Sequence, residues 1–136
     1  MIKSFLGEPG IDDVVAAVDG ADVRATSRLS YVECGAAFAR ADREGRVPKG
    51  EAARFARTFE QAWQDLAVVE LDAQISGHAV GLARAHPRRA ADAIHLASAL
   101  AIAPSVGAVA FACFDRRLWE AARTLGLDRI PASPPR

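Results

Sequence analysis

The stretch VAFACFDRRLWEAARTLG, residues 109–126, decides the fold. Its first six residues are a continuous apolar run of the length that suits a buried strand. Asp115 follows at once, and then a helical segment over about 117–125 stops at Gly126. The same order recurs toward the N-terminus. Residues 22–26 (DVRAT) read as a strand, with Ser27 placed to cap a helix over 28–44 that ends at Gly45. Pro48 fits the first turn of another helix, reaching about Gln64. Residues 66–71 (LAVVEL) suit a buried strand, and 73–85 and 90–103 read as helices separated by a His-Pro turn at 86–87. A short helix over 11–18 follows the Gly-Glu-Pro-Gly turn at 7–10. Strands alternating with helices predict an α/β fold, with helices on both faces of a mainly parallel sheet. The reading is one domain over 1–130 and a flexible tail over 131–136 (PASPPR).

The bulk properties narrow the class. At 136 residues, with 51% hydrophobic and 25% charged, the chain has the composition of a globular domain with a sizeable core. Charged residues interrupt every apolar stretch before it reaches the roughly 18 residues of a membrane span. Residues 1–10 lack the long apolar stretch of a signal peptide. Cys34 and Cys113 make no disulfide framework and read as buried free thiols in a reducing cytosol, so a cytoplasmic protein is expected. The formal net charge is zero, which does not advertise a nucleic-acid binder, although a local patch can be basic while the rest is acidic. Almost all the basic residues are arginine, a bias that genome composition accounts for as readily as phosphate recognition.

Three acids are awkward to explain by folding alone: Glu33 in SYVECGAAF, Asp92 in AADAIHLASAL and Asp115 in FACFDRRL. Arginines flank each of them, namely Arg28, Arg88 with Arg89, and Arg116 with Arg117. Converging carboxylates hold a hard divalent cation, and adjoining guanidiniums can hold phosphate. Asp115 ends a strand, at the sheet edge where α/β proteins bind ligands, and the other two acids fall early in helices that can reach it. Metal-dependent cleavage of nucleic acid is the chemistry that this combination suggests. Each acid also has a structural explanation. Glu33 aligns with Leu29 and Ala37 on the expected inward face, where an arginine partner or a slightly rotated helix would account for it. Asp92 complements a helix dipole, and Asp115 is a good N-cap.

Other residues offer less. His95 lies inside AIHLA and reads as a hydrogen-bonded core histidine rather than a ligand. His78 and His86 have no partner at zinc-ligand spacing, and no dinucleotide or P-loop signature occurs. Trp63 and Trp119 read as core or interface anchors, and Glu8 as a turn residue.

In order and over nearly its whole length, the chain resembles the PIN-domain family, and within it the VapC-type toxins of bacterial toxin–antitoxin pairs. KSFLGEPG is similar to the segment after the family's first strand, and SRLSYVECGAAFAR to the block with its second acid. RRAADAIHLASAL and FACFDRRLWEAARTLGL resemble its most recognisable motif and its strand–Asp–helix ending. The resemblance implies that Glu33, Asp92 and Asp115 belong to an acidic cluster holding Mg²⁺ or Mn²⁺, and that Ser27 lies near it. It also implies RNA as substrate, a cognate antitoxin as partner and a homodimer. Two departures accompany it. The family's opening strand ends in an Asp that, counted back from the residue matching Lys3, would precede Met1. The first strand and first acid are therefore expected to be missing from the chain as given, through a misassigned start or, as the rival, in a degenerate copy. Cys113 stands where a hydroxyl is common, two residues before Asp115. The expected function is a Mg²⁺-dependent endoribonuclease of toxin type. The alternative is an inactive PIN-like subunit that keeps antitoxin or partner binding, and a phosphatase-like hydrolase lacks a nucleophile motif.

Overall fold

A computed structural model of the chain describes residues 11–85 and 89–135. Lys3, Glu8, His86 and Arg88, and with them the turns at 7–10 and 86–87, lie outside the described residues. In order, the chain forms α1 (Ile11–Gly20), β1 (Ala25–Ser27), α2 (Arg28–Arg43), α3 (Glu51–Trp63) and β2 (Ala67–Val69). There follow α4 (Ala73–Ala85), α5 (Ala90–Val106), β3 (Ala110–Ala112), α6 (Arg116–Thr124) and β4 (Asp128–Ile130). Both strand pairings are parallel, as the α/β reading requires. β1 pairs with β2 in the register Ala25 to Ala67, and β3 with β4 in the register Ala110 to Asp128. Among the described residues these are two separate pairs, not one continuous sheet.

Local chemistry explains most boundaries. Ser27 accepts a hydrogen bond from the Leu29 backbone N–H at 3.3 Å and starts α2, and Gly45, at φ 61°, follows the end of that helix. Asp72 starts α4 in the same manner, its Oδ1 accepting from the Ile75 N–H at 2.8 Å. α3 begins three residues later than Pro48, because Gly50 takes a left-handed φ of 89° and the Pro48 carbonyl instead accepts from the Glu51 N–H. α5 outruns its expected end at Ala103. Pro104 is accommodated in its last turn, and Gly107, at φ 79°, closes it with an N–H to the Ala103 carbonyl. β4 was not foreseen.

α5 is the centre of the core. On one side its Leu96 and Ala99 pack with Cys113, Leu118, Trp119, Ala121, Ala122 and Leu127. On the other, Ala93 and Ala97 meet Ile75 and Ala79 of α4, and these small residues let the two helices lie close. α2 and α3 are joined by an aromatic block of Tyr31, Phe38, Phe59 and Trp63, with Tyr31 and Trp63 edge to face at 5.0 Å. Both tryptophans are buried, Trp119 donating its indole N–H to the Pro131 carbonyl at 2.8 Å, and both cysteines are buried and free.

Candidate active site

α5 also organises the acids. Asp92 lies in its first turn on the stripe that carries Leu96 and Ala99, and its side chain is only 14% exposed. Asp115 ends the β3 segment and caps α6, with Oδ1 accepting the Leu118 N–H at 3.0 Å. Its second oxygen, Oδ2, faces away from that cap and accepts from Arg89 Nη2 at 2.9 Å. The same guanidinium donates through Nε to Asp92 Oδ2 at 3.2 Å. One positive centre thus sits between two carboxylates that are 23 residues apart in sequence but turned toward each other in space.

The electrostatics follow. The Leu118 and Arg117 backbone N–H groups, with help from Arg89, hold the Asp115 carboxyl below the usual range. The hydrogen bond to Asp92, then the field of both acids, raises the Arg89 guanidinium above its ordinary value. Behind them, burial pushes the Cys113 thiol up to about 12, and the negative charges of Asp115 and Asp92 add to the rise. Cys113 is therefore a neutral packing group.

Glu33 stands apart from the paired aspartates. It was expected on the inward face of α2, but the buried positions of that helix are Cys34 and Phe38, so the helix is turned by about one residue from that expectation. The Glu33 side chain is 47% exposed, and its Oε2 lies 2.8 Å from His95 Nε2. His95 is one helical turn from Asp92 on α5, so the polar row runs from Glu33 through His95 to Asp92, Arg89 and Asp115. Among the described residues no three His, Cys, Asp or Glu side chains gather tightly enough to hold an ion by themselves. The reading of His95 as hydrogen-bonded holds, and its partner is Glu33. The i, i+3 spacing of Asp92 and His95 is the signal that places the two together.

The flanking residues divide. Ser27 is 5% exposed and its hydroxyl is used as the α2 cap. Arg28 is bound to Glu70 at the end of β2, with Nε donating to Oε2 at 2.9 Å, and stacks over Trp63. Arg116 is exposed on the first residue of α6, beside Asp115. Arg88 lies outside the described residues. Arg89 donates to both aspartates, and the Arg117 backbone N–H contributes to holding Asp115.

With the geometry in place, comparison with known proteins decides the family. The PIN domain profile matches residues 1–124. The chain belongs to the PIN-domain family. Within that family it is 40% identical over 131 residues to ribonuclease VapC45 of Mycobacterium tuberculosis (strain CDC 1551 / Oshkosh), covering 96% of this chain and 90% of the relative. Ribonuclease VapC49 of Mycobacterium tuberculosis (strain ATCC 25618 / H37Rv) matches with the same identity and coverage. The parallel pairings are consistent with the PIN fold.

In chemistry, the carboxylate oxygens of Asp92 and Asp115 are the hard donors that Mg²⁺ or Mn²⁺ takes, and one cation, Arg89, already lies against both; among the described residues they form a pair and not a complete ligand set.

Proposed function

We propose that this PIN domain is a Mg²⁺- or Mn²⁺-dependent endoribonuclease, acting as the toxin of a toxin–antitoxin pair and hydrolysing RNA phosphodiesters. The observation that supports it is the convergence of Asp92 and Asp115 on one cation, in a chain 40% identical to proteins named as ribonucleases. Asp92 and Asp115 are the residues that would hold the metal, with Glu33 the third acid of the set. When bound, the ion supplies charge neutralisation on the phosphate and activation of water. Around it the chain's own groups have separate tasks. The α6 backbone fixes Asp115 through the cap, so that its Oδ2 is aimed without loss of side-chain freedom on binding. His95 fixes the Glu33 carboxylate along α5. Arg116, exposed next to Asp115, offers donors to an incoming phosphate. A cognate antitoxin and a second copy of the chain are the partners that this reading carries, in the cytoplasm.

The rival reading, a PIN-like subunit that binds a partner without cleaving, draws support from Arg89, which already offsets one of the two aspartate charges. RNA cleavage in Mg²⁺ or Mn²⁺ by the chain and its Asp92→Asn variant separates the two. Cleavage by the wild type that disappears in a variant of unchanged circular dichroism supports the nuclease. Cleavage that survives Asp92→Asn removes Asp92 from the site, and silence from both favours the binding subunit.

A further inference from the structure

Arg89 is oddly placed for a residue whose only task is folding. It is the N-cap of α5, with φ −68° and ψ 148°, and makes no capping bond. That position favours Ser, Thr, Asp or Asn, whose side chains accept from the first N–H groups. A cation there also opposes the positive end of the helix dipole. What holds the side chain in place is the aspartate pair. The contrast in exposure is equally informative. Arg89 is 71% exposed while Asp92 beneath it is 14% exposed, so the guanidinium is a cover that can leave without disturbing the core.

We propose that Arg89 is a built-in counter-ion: it occupies the cation position between Asp92 and Asp115 and competes with the divalent metal for it. The inference rests on the metal-nuclease reading above. In the metal-free protein the guanidinium holds one oxygen of each carboxylate turned toward it. A metal held by the same two carboxylates would compete with the Arg89 contacts for them. The displaced guanidinium stays tethered at the rim with its donors free, and phosphate is the group that its planar fork fits. Arg89 is thus a positioning residue that holds the site open to a cation and sets how much metal is needed to fill it.

Calorimetric titration of the full chain with Mn²⁺ tests this, using wild type, Arg89→Gln, Arg116→Gln and Asp92→Asn. Removing a competitor raises the fraction of protein ready to bind, so Arg89→Gln is expected to bind Mn²⁺ roughly tenfold more tightly than wild type. Arg116→Gln removes an equal charge next to Asp115 without touching the carboxylate pair, and is expected to stay near wild type. Asp92→Asn is expected to lose binding. If Arg89→Gln binds no more tightly than wild type, or Arg116→Gln tightens binding equally, direct competition is overturned. In that case loss of binding in Asp92→Asn still upholds the metal site. Absence of Mn²⁺ binding in both wild type and Arg89→Gln overturns the competition and the metal-nuclease reading together.

Discussion

Ser27 and Asp115 both immediately precede a helix that follows a strand, Ser27 as the last residue of β1 and Asp115 three residues beyond β3. Each stands where a strand gives way to a helix, and each caps that helix with a side-chain oxygen. Ser27 is buried, and its hydroxyl is taken up by the Leu29 N–H. Asp115 is 41% exposed and has two oxygens, one for the Leu118 N–H and one left to face a cation. The junctions share a backbone solution and differ in one spare acceptor and one charge. Topology thus supplies two places at which a ligand group could stand, and the side chain determines which of them is chemically equipped.

The largest effect expected from breaking this contrast is on catalysis. Asparagine caps helices about as well as aspartate, so Asp115→Asn should leave α6 in place while removing the charge. Losing several kcal/mol of metal-borne transition-state stabilisation corresponds to a fall on the order of 10³-fold in RNA cleavage. A variant that keeps wild-type cleavage would show that the second oxygen has no role. Next in size is the structural junction. Ser27→Ala should cost about 1 kcal/mol in urea denaturation. Mn²⁺ affinity, measured separately, should hardly move, and a large loss would place Ser27 at the site after all.

A pH series sharpens the comparison further. Asp115 has a folded-state pKa below its unfolded value, chiefly through the Leu118 N–H. Its contribution is therefore fully present above the ordinary carboxylate range and is lost as pH falls through the depressed value. Asp115→Asn should flatten the acid limb of the stability–pH curve, whereas Ser27→Ala should lower the curve without changing its shape. The smallest effect concerns the residue two places before Asp115. With its thiol pushed up to about 12, Cys113 should resist iodoacetamide at pH 8 in the native state and react once the protein is unfolded. Rapid native labelling would contradict the burial that places it in the core.

Much of this was legible in the sequence wherever a single residue carries a local instruction. Ser27, Gly45, Asp115 and Gly126 mark helix ends by their own chemistry, and α4 has the bounds that its flanking residues suggest. The apolar run at 109–114 was clear, although its hydrogen-bonded part is only Ala110–Ala112. What escaped depends on partners distant in sequence. β4 is the three residues Asp128–Ile130, two of them charged, and becomes a strand only because β3 offers a ladder. The orientation of Glu33 depends on which face of α2 the α3 aromatics cover. Cys34 and Phe38 took the inner positions, and no periodicity count within α2 distinguishes that solution from its neighbour. For the site, the sequence marked the acids and their flanking arginines, but not that Arg89 turns inward onto two acids while Arg28 turns away to Glu70.

The registers of the two pairs carry a further consequence, for the entropic cost of closing the chain. Ala25 meets Ala67 across 42 residues, whereas Ala110 meets Asp128 across 18. Closing the longer loop costs about 0.7 kcal/mol more in chain entropy. The shorter crossover also carries its own helix, α6, whose Leu118, Trp119 and Ala122 join the larger core cluster. On these grounds the β3–β4 pair closes at a lower entropic cost than the β1–β2 pair. Asp115 is thus held by a local crossover, whereas the contact of Glu33 with His95 joins residues 62 apart in the chain.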